Sequence, residues 1–304
     1  MFIGGCTFEA AEAVADTKRD LGVDIIDGIE SLVHKSLLQL IESQDDEARL
    51  AMMETVREYG FERLVESGEE GAARKAHAAY YLVLAEEAAN AIEGADRPIW
   101  IDRLDRDRGN LRAALDWLTR TGNAEWGLRL ASALLRYWEL RELFVEGRRR
   151  MSALLALPGA AARTPLRAKA LFAAGALAAG QRDYRSEMPL FNESLQIYRE
   201  HGDRQGMGIA MNAIAIALKD QGDVAEARRI FEEISLIWMD LGDNLLHARA
   251  LSNLASILKE QDDIVAALAR YDEALGIFRQ LGDDQGMAWT LRHQGDIARD
   301  QHDF

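Results

Sequence analysis

The chain has 304 residues, 48% of them hydrophobic and 29% charged, with a formal net charge of −15 at pH 7. That length exceeds what one core usually serves, so two domains or one long repeat array are expected, and the composition excludes a disordered chain. The acidic balance repels phosphate backbones, which argues against direct nucleic-acid binding by this segment, and a single cysteine, Cys6, excludes an internal disulfide.

From the N-terminus, Thr7 can cap a short helix over 8–16, and a second helix is expected from about Asp24 to His34. The runs 37–41 and 49–53 read as short strands, and the polar Ser43-Gln44-Asp45-Asp46-Glu47 between them as a hairpin turn. A helix follows over 54–66 and stops at Ser67-Gly68. Helix, helix, hairpin, helix is the order of a winged-helix module. Residues 76–92 and 98–118 are amphipathic helices, with Pro98 suited to a helix start and Gly122-Asn123 breaking the chain afterwards. Residues 126–158 read as a degenerate helical hairpin. Arg148-Arg149-Arg150 within it is a basic run that could touch a preceding domain or nucleic acid, and it reads best as a solvated helix face.

Beyond residue 165 the sequence repeats itself. Gly202-Asp203, Gly242-Asp243 and Gly282-Asp283 recur every 40 residues, and a second series, Gln181, Gln221, Gln261 and Gln301, runs half a period away. Each Gln is followed two residues later by Asp183, Asp223, Asp263 or Asp303. Glycine can take the left-handed conformation that ends a helix, and aspartate can cap the next one. Asp223 with Glu226 has capping-box spacing. The repeating unit is therefore two helices and two turns. Leu171, Met211, Leu251 and Leu291 align in the first helix beside the small residues Gly175, Ala215, Ala255 and Gly295. Phe191, Phe231 and Tyr271 align in the second helix, and spacings of three, four and seven put the apolar residues on one face. Glu187 departs from the pattern, standing where Ala227 and Ala267 stand in later copies.

The series Leu251, Leu254-Ala255, Leu258, Ile264, Ala267, Tyr271, Ala274 resembles the tetratricopeptide pattern of large and small residues. The period of 40 resembles the longer-helix variant of bacterial signalling regulators. The N-terminal blocks Phe2-Ile3-Gly4-Gly5-Cys6-Thr7-Phe8-Glu9-Ala10-Ala11-Glu12-Ala13-Val14, Leu32-Val33-His34-Lys35-Ser36-Leu37-Leu38 and Met53-Glu54-Thr55-Val56-Arg57-Glu58-Tyr59 carry a second likeness. So does Asn110-Leu111-Arg112-Ala113-Ala114-Leu115-Asp116-Trp117. They resemble the winged-helix segment that follows the nucleotide-binding core in STAND-class ATPases, notably the large LuxR-type bacterial transcriptional regulators. The expected fold is mainly α: a winged-helix-like module over 1–70, a helical linker with degenerate hairpins over 71–165, and a right-handed α-solenoid of tetratricopeptide-like hairpins over 166–304.

The resemblance implies a non-catalytic signal-sensing and protein-interaction segment of an ATP-dependent transcriptional regulator. The different-class alternative is a free-standing tetratricopeptide scaffold or adaptor. No G-x-x-x-x-G-K-[ST] phosphate loop occurs, and Met53 stands where related ATPases place an ADP-sensing histidine, so no nucleotide-binding residue and no cofactor are carried over.

The six histidines lack metal-like partners at i+3 or i+4, Cys6 reads as a small core residue, and Asp102 and Asp105 among arginines read as helix-face ion pairs. These patterns favour no metal, no catalytic residue and no enzyme. No apolar run spans a bilayer and nothing at the start reads as a signal peptide, so a cytoplasmic protein without a membrane partner is expected.

The first helices should line the binding wall of the stack. Its outward positions would be Asn212, Lys219, Arg249, Ser252, Ser256, Lys259, Trp289, Arg292, Asp296 and Arg299, with Lys169, Phe172 and Ile216 beside them. That wall is more basic than the whole chain and suits a protein or an acidic, extended peptide, or a small anionic effector. Phe304 aligns with Tyr184, Val224 and Ile264, leaving the last hairpin one helix. The native polypeptide is expected to continue, or this end to pack on something, self-association included.

Overall fold

The computed structural model describes residues 1–15, 24–41 and 48–302, and the chain divides into two compact units, Met1–Ala162 and Arg163–Phe304. The expected turn over 43–47, Asp16 and the final residues 303–304 lie outside the described residues. No helix among the described residues is long and apolar enough to cross a membrane.

The first unit opens with β1 (Cys6–Thr7) and α1 (Phe8–Ala15). Thr7 caps α1 as its sequence position suggests, Oγ1 accepting the Ala10 N–H at 3.2 Å. Asp24 caps α2 (Ile25–His34) through the Ile26 N–H at 2.8 Å. β2 (Gln39–Ile41) and β3 (Arg49–Ala51) complete a small antiparallel sheet of order β1-β3-β2, in which Cys6 and Leu40 both face Leu50. β1 was not expected, because two residues give no periodicity to read. α3 (Glu54–Glu66) begins and ends at the expected residues, and Gly68 turns the chain at φ 77°.

α4 (Glu70–Ala91) follows. The single helix expected over 98–118 is two, α5 (Arg97–Arg106) and α6 (Arg108–Arg120), which meet at Asp107. The break turns a carboxylate into the core, where Asp107 is 2% exposed. Its Oδ1 accepts from Arg49 Nη2 at 2.7 Å, Asn110 Nδ2 at 2.9 Å and the Tyr81 hydroxyl at 3.2 Å. Arg49 Nη2 and Asn110 Nδ2 also donate to the Gly5 carbonyl, at 3.3 and 2.9 Å, while Asn110 Oδ1 accepts from the Ile3 N–H at 2.6 Å. A buried charge is tolerable only when paired and hydrogen-bonded, and this network meets both conditions. It ties the sheet and residues 3–5 to α4 and α6.

The degenerate hairpin is α7 (Ala124–Ala133), α8 (Leu135–Leu140) and α9 (Phe144–Leu155), its first arm broken at Leu134. The solvated face expected at Arg148-Arg149-Arg150 fails at Arg150, which is buried and pairs with Asp116 at 2.7 Å and Glu146 at 3.1 Å. Glu146 also receives Arg112 and Arg108. Burial alone would raise its carboxyl, but the guanidinium groups of Arg112, Arg150 and Arg108 hold it at about 2.

The second unit consists of helical hairpins: α10 (Pro165–Gly180) with α11 (Tyr184–His201), α12 (Arg204–Asp220) with α13 (Val224–Leu241), and α14 (Asn244–Glu260) with α15 (Ile264–Leu281). α16 (Asp284–His302) packs on α15. Both turn series work as expected. Gly202, Gly242 and Gly282 end their helices at φ 65°, 71° and 67°. Asp203, Asp243 and Asp283 accept the N–H three residues on at 2.8–3.0 Å, and Asp183, Asp223 and Asp263 do so at 3.2–3.3 Å. The Glu226 carboxylate pairs with Arg229. Between the Gln and Asp markers the left-handed residue is Arg182, Gly222 or Asp262, so that turn does not demand glycine.

Phe191, Phe231 and Tyr271 are buried between helices, and a methyl group at Gly175 would lie 2.5 Å from Phe191 Cε1. The small residue thus sets the helix spacing. Glu187 is 1% exposed with Oε1 unpartnered, and burial, then Asp220 and Asp183, push its carboxyl up.

Candidate interaction surface

In the second unit the first helices α12, α14 and α16 lie side by side through side chains spaced 41 residues apart. Asn253 Nδ2 donates to Asn212 Oδ1 at 3.3 Å. Lys219 Nζ meets Glu260 at 3.0 Å, and Lys259 Nζ repeats the pairing one hairpin later with Asp300 at 3.4 Å. Lys219 also donates to the Ser256 hydroxyl at 3.3 Å. The stack therefore carries a ladder along its first-helix face, in which each lysine reaches forward to the acid of the next repeat. The lysine side chains are 29% and 27% exposed, so solvent screens each rung and the ladder contributes mostly alignment.

Of the expected wall residues, Asn212, Lys219, Ser256 and Lys259 belong to this ladder. Arg299 pairs with Asp296 at 3.1 Å and lies 3.7 Å from Asp300. Arg249 and Arg292 are exposed and carry the remaining positive charge. Arg292 Nη2 lies 3.4 Å from His293 Nε2. Burial lowers the His293 pKa, Arg292, Lys259 and Lys219 push it the same way, and Asp296 opposes them. Trp289 is half-buried, with its ring 4.1 Å from that of His293 and 6.2 Å from that of Tyr271. These rings form an aromatic step beside the arginines.

Ser252 is the correction. It was expected to point outward but is 3% exposed, with its hydroxyl unpartnered. Asn212, at the equivalent place on α12, is half-buried. Residue 292 at the equivalent place on α16 stays open. Glu260, Asp300, Asn253 and His293 were not singled out from the sequence. A signal was there: Lys219-Asp220, Lys259-Glu260 and Arg299-Asp300 repeat a basic–acidic pair once per hairpin.

Comparison with known proteins agrees with this architecture. Residues 206–280 and 246–304 match the family model described as tetratricopeptide repeat, and residues 1–65 match the winged helix-turn-helix domain. A protein of Mycobacterium tuberculosis named as an HTH-type transcriptional regulator is 34% identical over 146 residues, 48% of this chain and 16% of the relative. The chain thus spans about a sixth of that relative's length. Among solved structures, a STAND protein with a tetratricopeptide repeat sensor from Pyrococcus horikoshii superposes with a TM-score of 0.51 at 13% identity, covering 94% of this chain and 50% of that one. Kinesin light chain TPR-like repeats from Podosopora anserina superpose at 0.52 and 12% identity, covering 68% of this chain and 99% of theirs. These likenesses establish a winged-helix module and tetratricopeptide-type hairpins in one mainly α chain.

Proposed function

We propose that this chain is the signal-sensing and protein-interaction segment of an ATP-dependent bacterial transcriptional regulator of the STAND and LuxR type, working in the cytoplasm. The observation that carries the reading is the 34% identical stretch shared with an HTH-type regulator, on a chain that joins a winged-helix module to tetratricopeptide hairpins. In this reading residues 1–70 are the winged-helix module, 71–165 a helical linker, and 166–304 the sensor. The segment performs no chemistry of its own. It shifts a two-state equilibrium by binding one state better than the other.

The sensor surface is the first-helix face. Arg249 and Arg292 supply the charge not already matched by neighbouring carboxylates, and Trp289 supplies a flat apolar contact. The ligand this favours is an acidic peptide or protein segment, or a small anionic effector, with an aromatic or aliphatic group to lie on Trp289. Self-association through α16 is a separate expectation of the same reading.

The experiment is expression of the chain in its own bacterium, with transcripts and captured partners both measured. The reading expects a defined set of transcripts to change, and the double variant Arg249→Glu/Arg292→Glu to abolish both that change and partner capture. Partner capture with unaltered transcripts favours the free-standing scaffold. Capture and transcripts that both survive the double variant contradict the assigned surface.

A further inference from the structure

The N-terminal unit contains two adjoining cavities of about 590 and 600 Å³, both lined by Phe2, Cys6, Leu38, Leu50, Met52 and Leu64. They form one apolar cleft because α3, the helix that should close the module, buries none of its own residues. Phe61 and Leu64 reach the cleft from α3, while Ile3 and Ile41 at its edge remain 45% and 51% exposed. Side chains left in water forgo the stabilisation that burial would give. The rim is acidic: Asp24, Glu54 and Glu69 line it. Among the described residues that line it, Arg57 is already paired with Glu54, and the other basic group is the Met1 amine, whose pKa burial lowers to about 6.

We infer that this cleft seats an amphipathic helix of a partner polypeptide, apolar on one face and carrying Lys or Arg on the other. An apolar cleft made of two adjoining cavities of this size fits side chains at i, i+3, i+4 and i+7 of a docked helix. The carboxylates of Asp24 and Glu69 accept hydrogen bonds from the Ile26 N–H and the Ser67 hydroxyl but have no ion pair among the described residues, so they select basic flanks and repel fatty acids and anionic lipid. Strand addition is a poorer fit, because the edge strands β1 and β2 are only two and three residues long. This surface is distinct from the first-helix face of the second unit and does not depend on that assignment.

The test uses the 304-residue chain and a fluorescein-labelled helical peptide with Leu at i, i+3, i+4 and i+7 and Arg elsewhere, beside a twin with Glu for Arg. The expected result is saturable one-to-one binding of the Arg peptide, at least tenfold tighter than the Glu twin. Ile41→Glu should weaken it at least tenfold. Because Ile41 is exposed, that variant keeps its fold, and circular dichroism checks this; Leu64→Glu is the companion variant. Bound peptide should also slow alkylation of Cys6, the chain's one thiol, which lies on the cleft floor. Equal binding of the two peptides, or undiminished binding to Ile41→Glu, overturns the inference. So does saturation of the cleft by N-phenyl-1-naphthylamine that the Arg peptide cannot displace, which would mark a small-molecule site instead.

Discussion

At the scale of single residues, the buried polar groups of the first unit decide its stability and its response to acid. Arg49 and Asp107 are 7% and 2% exposed and are held in one network. Arg49→Ala leaves the Asp107 carboxylate buried without its cation, and should cost roughly 3–5 kcal/mol in urea unfolding of that unit. His77, 3% exposed and lying against the rings of Phe2 and Tyr81, is held down to about 4 mainly by burial, with the N-terminal ammonium and Arg74 pushing the same way and Asn110 and Asp107 opposing. It is therefore neutral in the fold, whereas the unfolded chain charges it near its ordinary value of about 6.5. A depressed pKa gives stability that is complete above the unfolded value and lost as pH falls toward the folded one. Stability should decline between about pH 6.5 and 4, and His77→Gln should flatten the slope in that window. Glu146 acts lower on the scale. Its contribution is intact above its ordinary value of 4.5 and lost as pH falls toward about 2, so Glu146→Gln should leave the His77 window unchanged.

At the scale of elements, turn chemistry and helix spacing carry the second unit. Gly175 and Gly295 occupy equivalent repeat positions but meet different surroundings. Alanine at 175 drives a methyl group into Phe191 and should destabilise by about 1–3 kcal/mol, while alanine at 295 meets nothing within 4 Å. Gly295→Ala should instead stabilise by roughly 0.5–1 kcal/mol through helix propensity. Thermal unfolding of the two variants should move in opposite directions. The contrast also shows what the sequence made legible. Period, caps and aromatic stripe could be read because each is a local requirement at a fixed spacing, as the six Asp caps and three left-handed glycines demonstrate. The break at Asp107 could not, since nothing in its neighbourhood names Arg49, 58 residues away, as its partner. Ser252 is a similar case: a helix wheel gives the face of a residue, but its burial depends on packing that the wheel does not contain. Arg150 read as part of a basic run because its carboxylates, Asp116 and Glu146, come from another helix and another turn.

At the scale of the whole molecule, two units present two different surfaces. One is a sheet-and-helix module with an acid-rimmed apolar cleft. The other is a stack of hairpins whose first helices are joined by a ladder of lysines and acids. Lys219→Glu sets like charges against Glu260 and should loosen the contact between α12 and α14, seen as faster amide exchange in both helices with little change elsewhere. The central claim is that partners are read by the first-helix face. Hydrogen–deuterium exchange of the chain, free and bound to its captured partner, tests this most directly. The account predicts new protection in α12, α14 and α16, centred on Arg249, Trp289 and Arg292. Protection confined to α11, α13 and α15, with those three helices unchanged, would contradict it.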